Sequence, residues 1–309
     1  MNTRHITIMV AALLLAACGH RASNGSTSDA DSVNIDSTAV ETEEPAYVLK
    51  TDSIGMQRED TTVMVSVSAE WPIAGNAALV ENIQRYISEE MATNIGDEKP
   101  KVIISADGRK VVAATFNRYQ QALTTMRKEA QQEGYADGMQ YSYYLHLSMM
   151  EANSRYVTYL CRAEGFTGGA HGFATSTAQS FSATTGQRIG YEANYNFEKE
   201  LQEIKNQTLF KEPLSPQLYA LIKEGVRSYF QEFDESVASD EQLKDMLIGV
   251  NDVNRIPLPS AAPAFTKKGL SFIYQQYEIA PYAAGMINFD IPYDKIRPFL
   301  TPEAQALID

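Results

Sequence analysis

Cysteine is scarce in this 309-residue chain, with two in total. Two thiols cannot form the disulfide framework of a small secreted scaffold, so the folded part must be held by packing. Histidine is nearly as rare, at four residues. Once His5 is set aside with the first 17 residues, His20, His146 and His171 remain. A metal centre needs three or four ligands, and no HxxxH or HExxH spacing occurs. Basic charge is short as well. Lys and Arg number 26 against 39 Asp and Glu, a formal −13 with an isoelectric point near 4.8, which excludes the cationic footprint of a nucleic-acid binder. There is no GxSxG elbow, P-loop or GxGxxG loop, and no apolar run near the ~20 residues needed to span a bilayer.

What is present begins with an address. Arg4 precedes a 12-residue apolar run, Ile6–Ala17, the n- and h-regions of a secretory signal. The run ends Leu15-Ala16-Ala17-Cys18, which resembles the lipobox of bacterial lipoproteins. That resemblance implies cleavage after residue 17, lipidation at Cys18 and a membrane attachment held by acyl chains at ~0.8 kcal/mol per buried CH₂. Gly19-His20 has no acid directly after the cysteine, which favours the outer membrane of a cell envelope, on its periplasmic or its surface face. Residues 18–50 are expected to be a disordered tether. Through Pro45 it has no aromatic residue and carries six acids against Arg21, so it repels itself and extends. The rest, from residue 46, holds 24 bases and 33 acids, a formal −9.

Hydrophobic periodicity then places the elements. Val63, Val65 and Val67 alternate in a strand over 60–71. Asn76 caps a helix whose Leu79, Ile83, Ile87 and Met91 recur every fourth residue. A second helix is predicted over 117–133. Strands over 139–149, 155–163 and 173–182, the first two joined by a polar turn at Glu151–Ser154, form an antiparallel meander. Cys161 lies in the middle one, between apolar neighbours, and reads as a buried small hydrophobe rather than a nucleophile. The second half is read as helical over 196–205, from Ser215-Pro216 and from Ser239-Asp240, then as strands over 264–267, 269–274 and 286–291. The class is α+β, antiparallel sheets with helices packed on one face, in two coupled halves, 51–187 and 188–309.

Three segments carry a family resemblance: WPIAG at Trp71–Gly75 leading into a helix, GGAHG at Gly168–Gly172 in the meander, and TKKGLSFIYQQYEIAPYAAG at Thr266–Gly285. Together, over about residues 60–300, they resemble the extracytoplasmic module shared by RsiV-like anti-sigma factors and the non-catalytic N-terminal part of PdaC-like peptidoglycan deacetylases. The resemblance implies an envelope-facing module without a catalytic centre and, in the RsiV branch, lysozyme recognition. These 309 residues show neither the spanning helix of the first branch nor the metal-binding catalytic domain of the second, so the shared module alone is expected.

Within it, His171 on its glycine bend is either a presented base or part of a tight hairpin. The pairs Glu43-Glu44 and Glu89-Glu90 read as solvated charges rather than glycosidase carboxylates. Tyr144, Tyr277 and Tyr282 read either as core bodies with wet hydroxyls or as a platform for sugar rings. Glu278, in an apolar loop, is either bonded to backbone N–H groups or displayed to a partner. The sequence therefore leads to a non-enzymatic lipid-anchored envelope protein with no cofactor, binding a macromolecule such as lysozyme through Tyr277, Glu278, Tyr282 and His171. Binding of peptidoglycan or another glycan is the alternative, and an envelope hydrolase or deacetylase is the third class.

Overall fold

Val63, Val65, Val67, Ala69 and Trp71 point alternately inward from one strand, and each is buried. The computed structural model describes residues 48–92, 101–135, 138–196, 201–233 and 237–309. The signal, Cys18 and nearly all of the expected tether lie outside the described residues. Strand β1 (Leu49–Glu59) begins inside the range read as tether, because Leu49 and Ile54 are buried against the first core.

β1 pairs antiparallel with β2 (Val63–Gly75). Helices α1 (Ala77–Glu90) and α2 (Gly108–Gln132) follow, then the meander β3 (Tyr141–Ala152), β4 (Tyr156–Phe166) and β5 (Phe173–Ser182), and the short β6 (Arg188–Ile189). The six strands lie in sequence order, β1-β2-β3-β4-β5-β6. One pair departs from the antiparallel expectation: β2 and β3 run parallel, with Val63 beside Tyr141. A parallel pair needs a long crossover, and α1 and α2 supply it. Both helices contact β2, and their buried faces, including Leu79, Ile83, Ile87, Val112, Tyr119 and Leu123, cover the same side of the sheet as Val65 and Trp71.

α1 starts where predicted, with the Asn76 side chain accepting from the N–H groups of Ala78 and Leu79. α2 starts nine residues before the predicted Asn117, at an Asp107 cap. Its first turns hold Val111, Val112, Thr115 and Phe116, all buried. β-branched residues weaken the local helix signal, and burial overrides it.

The second half corrects one expectation. The segment read as a helix over 196–205 is instead a hairpin, β7 (Glu192–Asn196) with β8 (Leu201–Lys205), in which Ala193 faces Ile204. Both residues pack against the second core, so pairing decided a stretch whose few apolar residues fit either period. Phe197 lies outside the described residues. Helix α3 (Pro216–Gln231), capped by Ser215, and α4 (Asp240–Met246), capped by Ser239, follow as predicted. Strands β9 (Ala264–Thr266), β10 (Gly269–Tyr274) and β11 (Ile287–Ile291) form a sheet in the order β11-β10-β9, and α3 packs on β11. Two short helices, α5 (Tyr293–Ile296) and α6 (Pro302–Gln305), close the chain.

The two sheets meet on the side of the six-stranded sheet opposite α1 and α2. The Phe265 N–H donates to Ser180 Oγ at 2.8 Å, and Thr158 Oγ1 donates to the Phe265 carbonyl at 2.7 Å. The Thr158 proton is thereby used, so in the 2.8 Å contact between the hydroxyls Ser180 must be the donor. All these polar groups are buried, and the ring of three bonds satisfies each.

Candidate functional site

The bend between β4 and β5 and the loop after β10 come together at the far end of these strands from that junction, and the four residues read as partner-binding, His171, Tyr277, Glu278 and Tyr282, lie there. Gly168 (φ 100°) and Gly169 (φ 90°) turn the chain in a conformation that side chains disfavour. They bring His171 to the surface. Its Nδ1 lies 2.8 Å from the Gly172 carbonyl. A carbonyl only accepts, so Nδ1 carries the proton and Nε2 is the nitrogen left to face a partner.

Tyr282 donates its hydroxyl to the same carbonyl at 3.0 Å and lays its ring against the imidazole, with centroids 4.0 Å apart and 28° between planes. Tyr277 completes the group, 5.6 Å from Tyr282 and 6.5 Å from His171 by ring centroid. It is 58% exposed. Its φ of +65° places a bulky non-glycine residue in left-handed backbone, a conformation retained only where surrounding bonds enforce it.

Glu278 is the enforcing group. Its carboxylate accepts from the backbone N–H of Ser260 at 2.5 Å and of Gln275 at 2.6 Å, bonding the loop on both sides of Tyr277 to its surroundings. Burial raises its pKa above the ordinary glutamate value, and the bonds from Gln275 and Ser260 oppose that rise. Of the two roles open for Glu278, the geometry shows the backbone-bonded one.

Gln275 is a site residue that sequence reasoning missed. Its amide copies a strand backbone: Oε1 accepts from Ser176 N–H at 3.0 Å and Nε2 donates to Ser176 O at 2.8 Å, pinning the loop to the edge of β5. A glutamine at a strand end carries no signal of this kind until its neighbour is known. Tyr144, the third tyrosine considered for sugar stacking, is half-buried on β3, and its hydroxyl is directed at the sulfur of Met64. It is not part of the aromatic group.

The remaining reactive groups are quieter. Cys161 is a free, buried thiol. Burial pushes its pKa up, and the nearby Glu90 carboxylate adds to the shift. Glu89 forms an exposed ion pair with Arg188 at 2.6 Å. Among the described residues no three His, Cys, Asp or Glu side chains converge as metal ligands, and no helix is long and apolar enough to cross a membrane. The assembled site is thus an exposed imidazole stacked on a half-buried phenol of a braced loop. It can stack and hydrogen-bond.

Residues 191–294, which include Tyr277, Glu278 and Tyr282, match the model of a family described as "Protein of unknown function (DUF3298)". No curated protein matches the chain. Two solved structures are similar to it. One is a member of the DUF3298 family from Bacteroides fragilis, with a TM-score of 0.55, 16% identity, and coverage of 84% of this chain and 98% of that one. The other is a DUF3298 family protein from Pseudomonas aeruginosa, with a TM-score of 0.53, 12% identity, and coverage of 84% and 96%. At these identities the likeness is one of fold.

Proposed function

We propose that the chain is a non-enzymatic envelope protein, anchored by lipid at Cys18, that docks a cationic macromolecule such as lysozyme on the His171–Tyr282–Tyr277 surface. The observation that carries this reading is the aromatic stack itself. Three rings from two chain segments meet there, His171 and Tyr277 exposed and Tyr282 half-buried, with the two tyrosines on a loop braced by Glu278 and Gln275. Aromatic anchors that lose little conformational freedom are what binding surfaces concentrate their energy in. The −9 of residues 46–309 supports a basic partner, since a net negative field raises the encounter rate with cations and fades with salt. The resemblance of the Thr266–Gly285 segment to the RsiV-like module supports the choice of lysozyme as probe.

The test is a titration of the full chain with lysozyme. Binding is expected with Kd below about 10 μM at low salt, weakening as salt is added. Tyr277→Ala and Tyr282→Ala are each expected to cost roughly tenfold or more. No titratable binding at low salt would overturn the reading. Peptidoglycan is the second reading, favoured by the same ring surface, which can stack on sugars. A pull-down on sacculi that ignores salt yet is lost in the tyrosine variants would replace protein docking with glycan binding. Turnover of an acetylated glycan that disappears in His171→Ala would replace both with catalysis.

A further inference from the structure

A second recognition surface lies outside the aromatic stack. The uncovered part of the six-stranded sheet forms the floor of a groove of about 560 Å³, walled by Ser271 and Ile273 of β10, Asn288 of β11 and Met286 just before it. Two polar rows cross its floor. In one, Ser68, His146, Arg162 and Ser176 are neighbours from β2 to β5. In the other, Ser66, Tyr144, Glu164 and Ala174 are neighbours across the same strands. His146 is held in its row by a 2.7 Å hydrogen bond between Nδ1 and Ser68 Oγ.

Arg162 and Glu164 stand out. Both are exposed on the same face of β4. Neither has an ion-pair or hydrogen-bond partner among the described residues, although they are two positions apart on one strand. A guanidinium and a carboxylate left unpaired inside one groove are complementary to a ligand carrying both opposite charges. Their spacing selects its length. Residues i and i+2 of a strand are separated by about 6.7 Å. An extended dipeptide spans about 7 Å between its ends, whereas a free amino acid is too short and a tetrapeptide, at about 14 Å, too long. In the same groove, Leu160, Ile273 and Met286 line the wall and offer an aliphatic contact.

We infer that this groove binds a short unblocked peptide of dipeptide length, with its carboxylate on Arg162, its ammonium group on Glu164 and an aliphatic side chain against Ile273 and Met286. The inference does not depend on the docking surface proposed above, since it uses different residues and a different probe.

Calorimetric titration of the full chain with four probes tests it: the dipeptide Ala-Leu, its N-acetyl form, its C-terminal amide, and the tetrapeptide Ala-Leu-Ala-Leu. Ala-Leu is expected to bind with Kd below about 1 mM, and each blocked form and the tetrapeptide about tenfold more weakly. Arg162→Gln should abolish the difference between dipeptide and amide while keeping the penalty for N-acetylation. Glu164→Gln should do the reverse. This crossed pattern cannot arise from general unfolding, and both changes are at exposed positions. Absence of Ala-Leu binding would overturn the inference. So would blocked peptides or the tetrapeptide binding as well as Ala-Leu, or either variant keeping the sensitivity that its lost charge should have supplied.

Discussion

At the carboxylate of Glu278, two demands meet. The group gathers two backbone N–H donors around a left-handed Tyr277, and burial penalises the charge that makes it a good acceptor. Its folded pKa is raised above the ordinary value of 4.5. A carboxyl whose pKa rises on folding contributes stability that is present below its unfolded value and lost as pH climbs through the folded one. Glu278→Gln removes that titration. Denaturant unfolding at two pH values should therefore show wild type losing stability relative to Glu278→Gln as pH rises from about 4 to 7. A gap independent of pH would refute this. Glu278→Ala is a different case, because it strands the two N–H donors at a cost of about 2 kcal/mol and should release the Tyr277 backbone. Asp60 shows the opposite sign. Its carboxylate accepts from the Thr62 hydroxyl and from the N–H groups of Val63 and Thr62, which hold its pKa well below the usual range.

Among the elements, α3 shows packing opposing propensity. Gly225 sits in its interior, where alanine would be favoured by about 1 kcal/mol on helix propensity alone. A Cβ there would lie 2.1 Å from the ring of Phe289 on β11. Phe289 is itself stacked on Phe272 at 5.2 Å between centroids, so its ring has little room to yield. Overpacking costs typically 1–3 kcal/mol, which outweighs the propensity gain. Gly225→Ala is expected to lower stability by about 1–2 kcal/mol in denaturant unfolding, and a net gain would show that the α3–β11 contact relaxes freely. Element type was legible wherever caps and period agreed, as at Asn76, Ser215 and Ser239. It is not legible over 196–205, where a few apolar residues fit both periods and β7–β8 pairing makes the choice. The early start of α2 was hidden for a related reason: Val111, Val112 and Thr115 are poor helix formers whose burial against the sheet outweighs their preference.

For the whole molecule, the decisive contact is the hydroxyl ring that joins the sheets. Ser180 and Thr158, on neighbouring strands of the large sheet, satisfy both backbone groups of Phe265 in the small one. In place of a continuous ladder, two side chains act as a strand. Ser180→Ala would leave the Phe265 N–H buried and unpaired, costing about 1–3 kcal/mol. Hydrogen exchange is the discriminating measurement. Protection should fall in β9 and β10 well before it falls in β2 and β3 if the ring couples the halves. Uniform loss across both sheets would mean the coupling lies elsewhere.

By itself the sequence determined what depends on neighbours along the chain: the address-like first residues, the acidic balance, the helix caps, the alternation of β3 to β5 and β9 to β11, and hence an α+β protein. It also singled out His171, Tyr277, Glu278 and Tyr282, because a glycine bend and an apolar loop stand out locally. Only the tertiary structure decided that His171 and Tyr282, over a hundred positions apart, share one carbonyl, that Tyr277 joins their rings, and that Glu278 braces the loop. It alone paired β2 with β3 in parallel, turned Gln275 into a strand mimic, and left Arg162 and Glu164 in a groove with no partner among the described residues. Those outcomes rest on contacts between distant segments, whose energies are set by burial and hydrogen-bond geometry that no local pattern encodes.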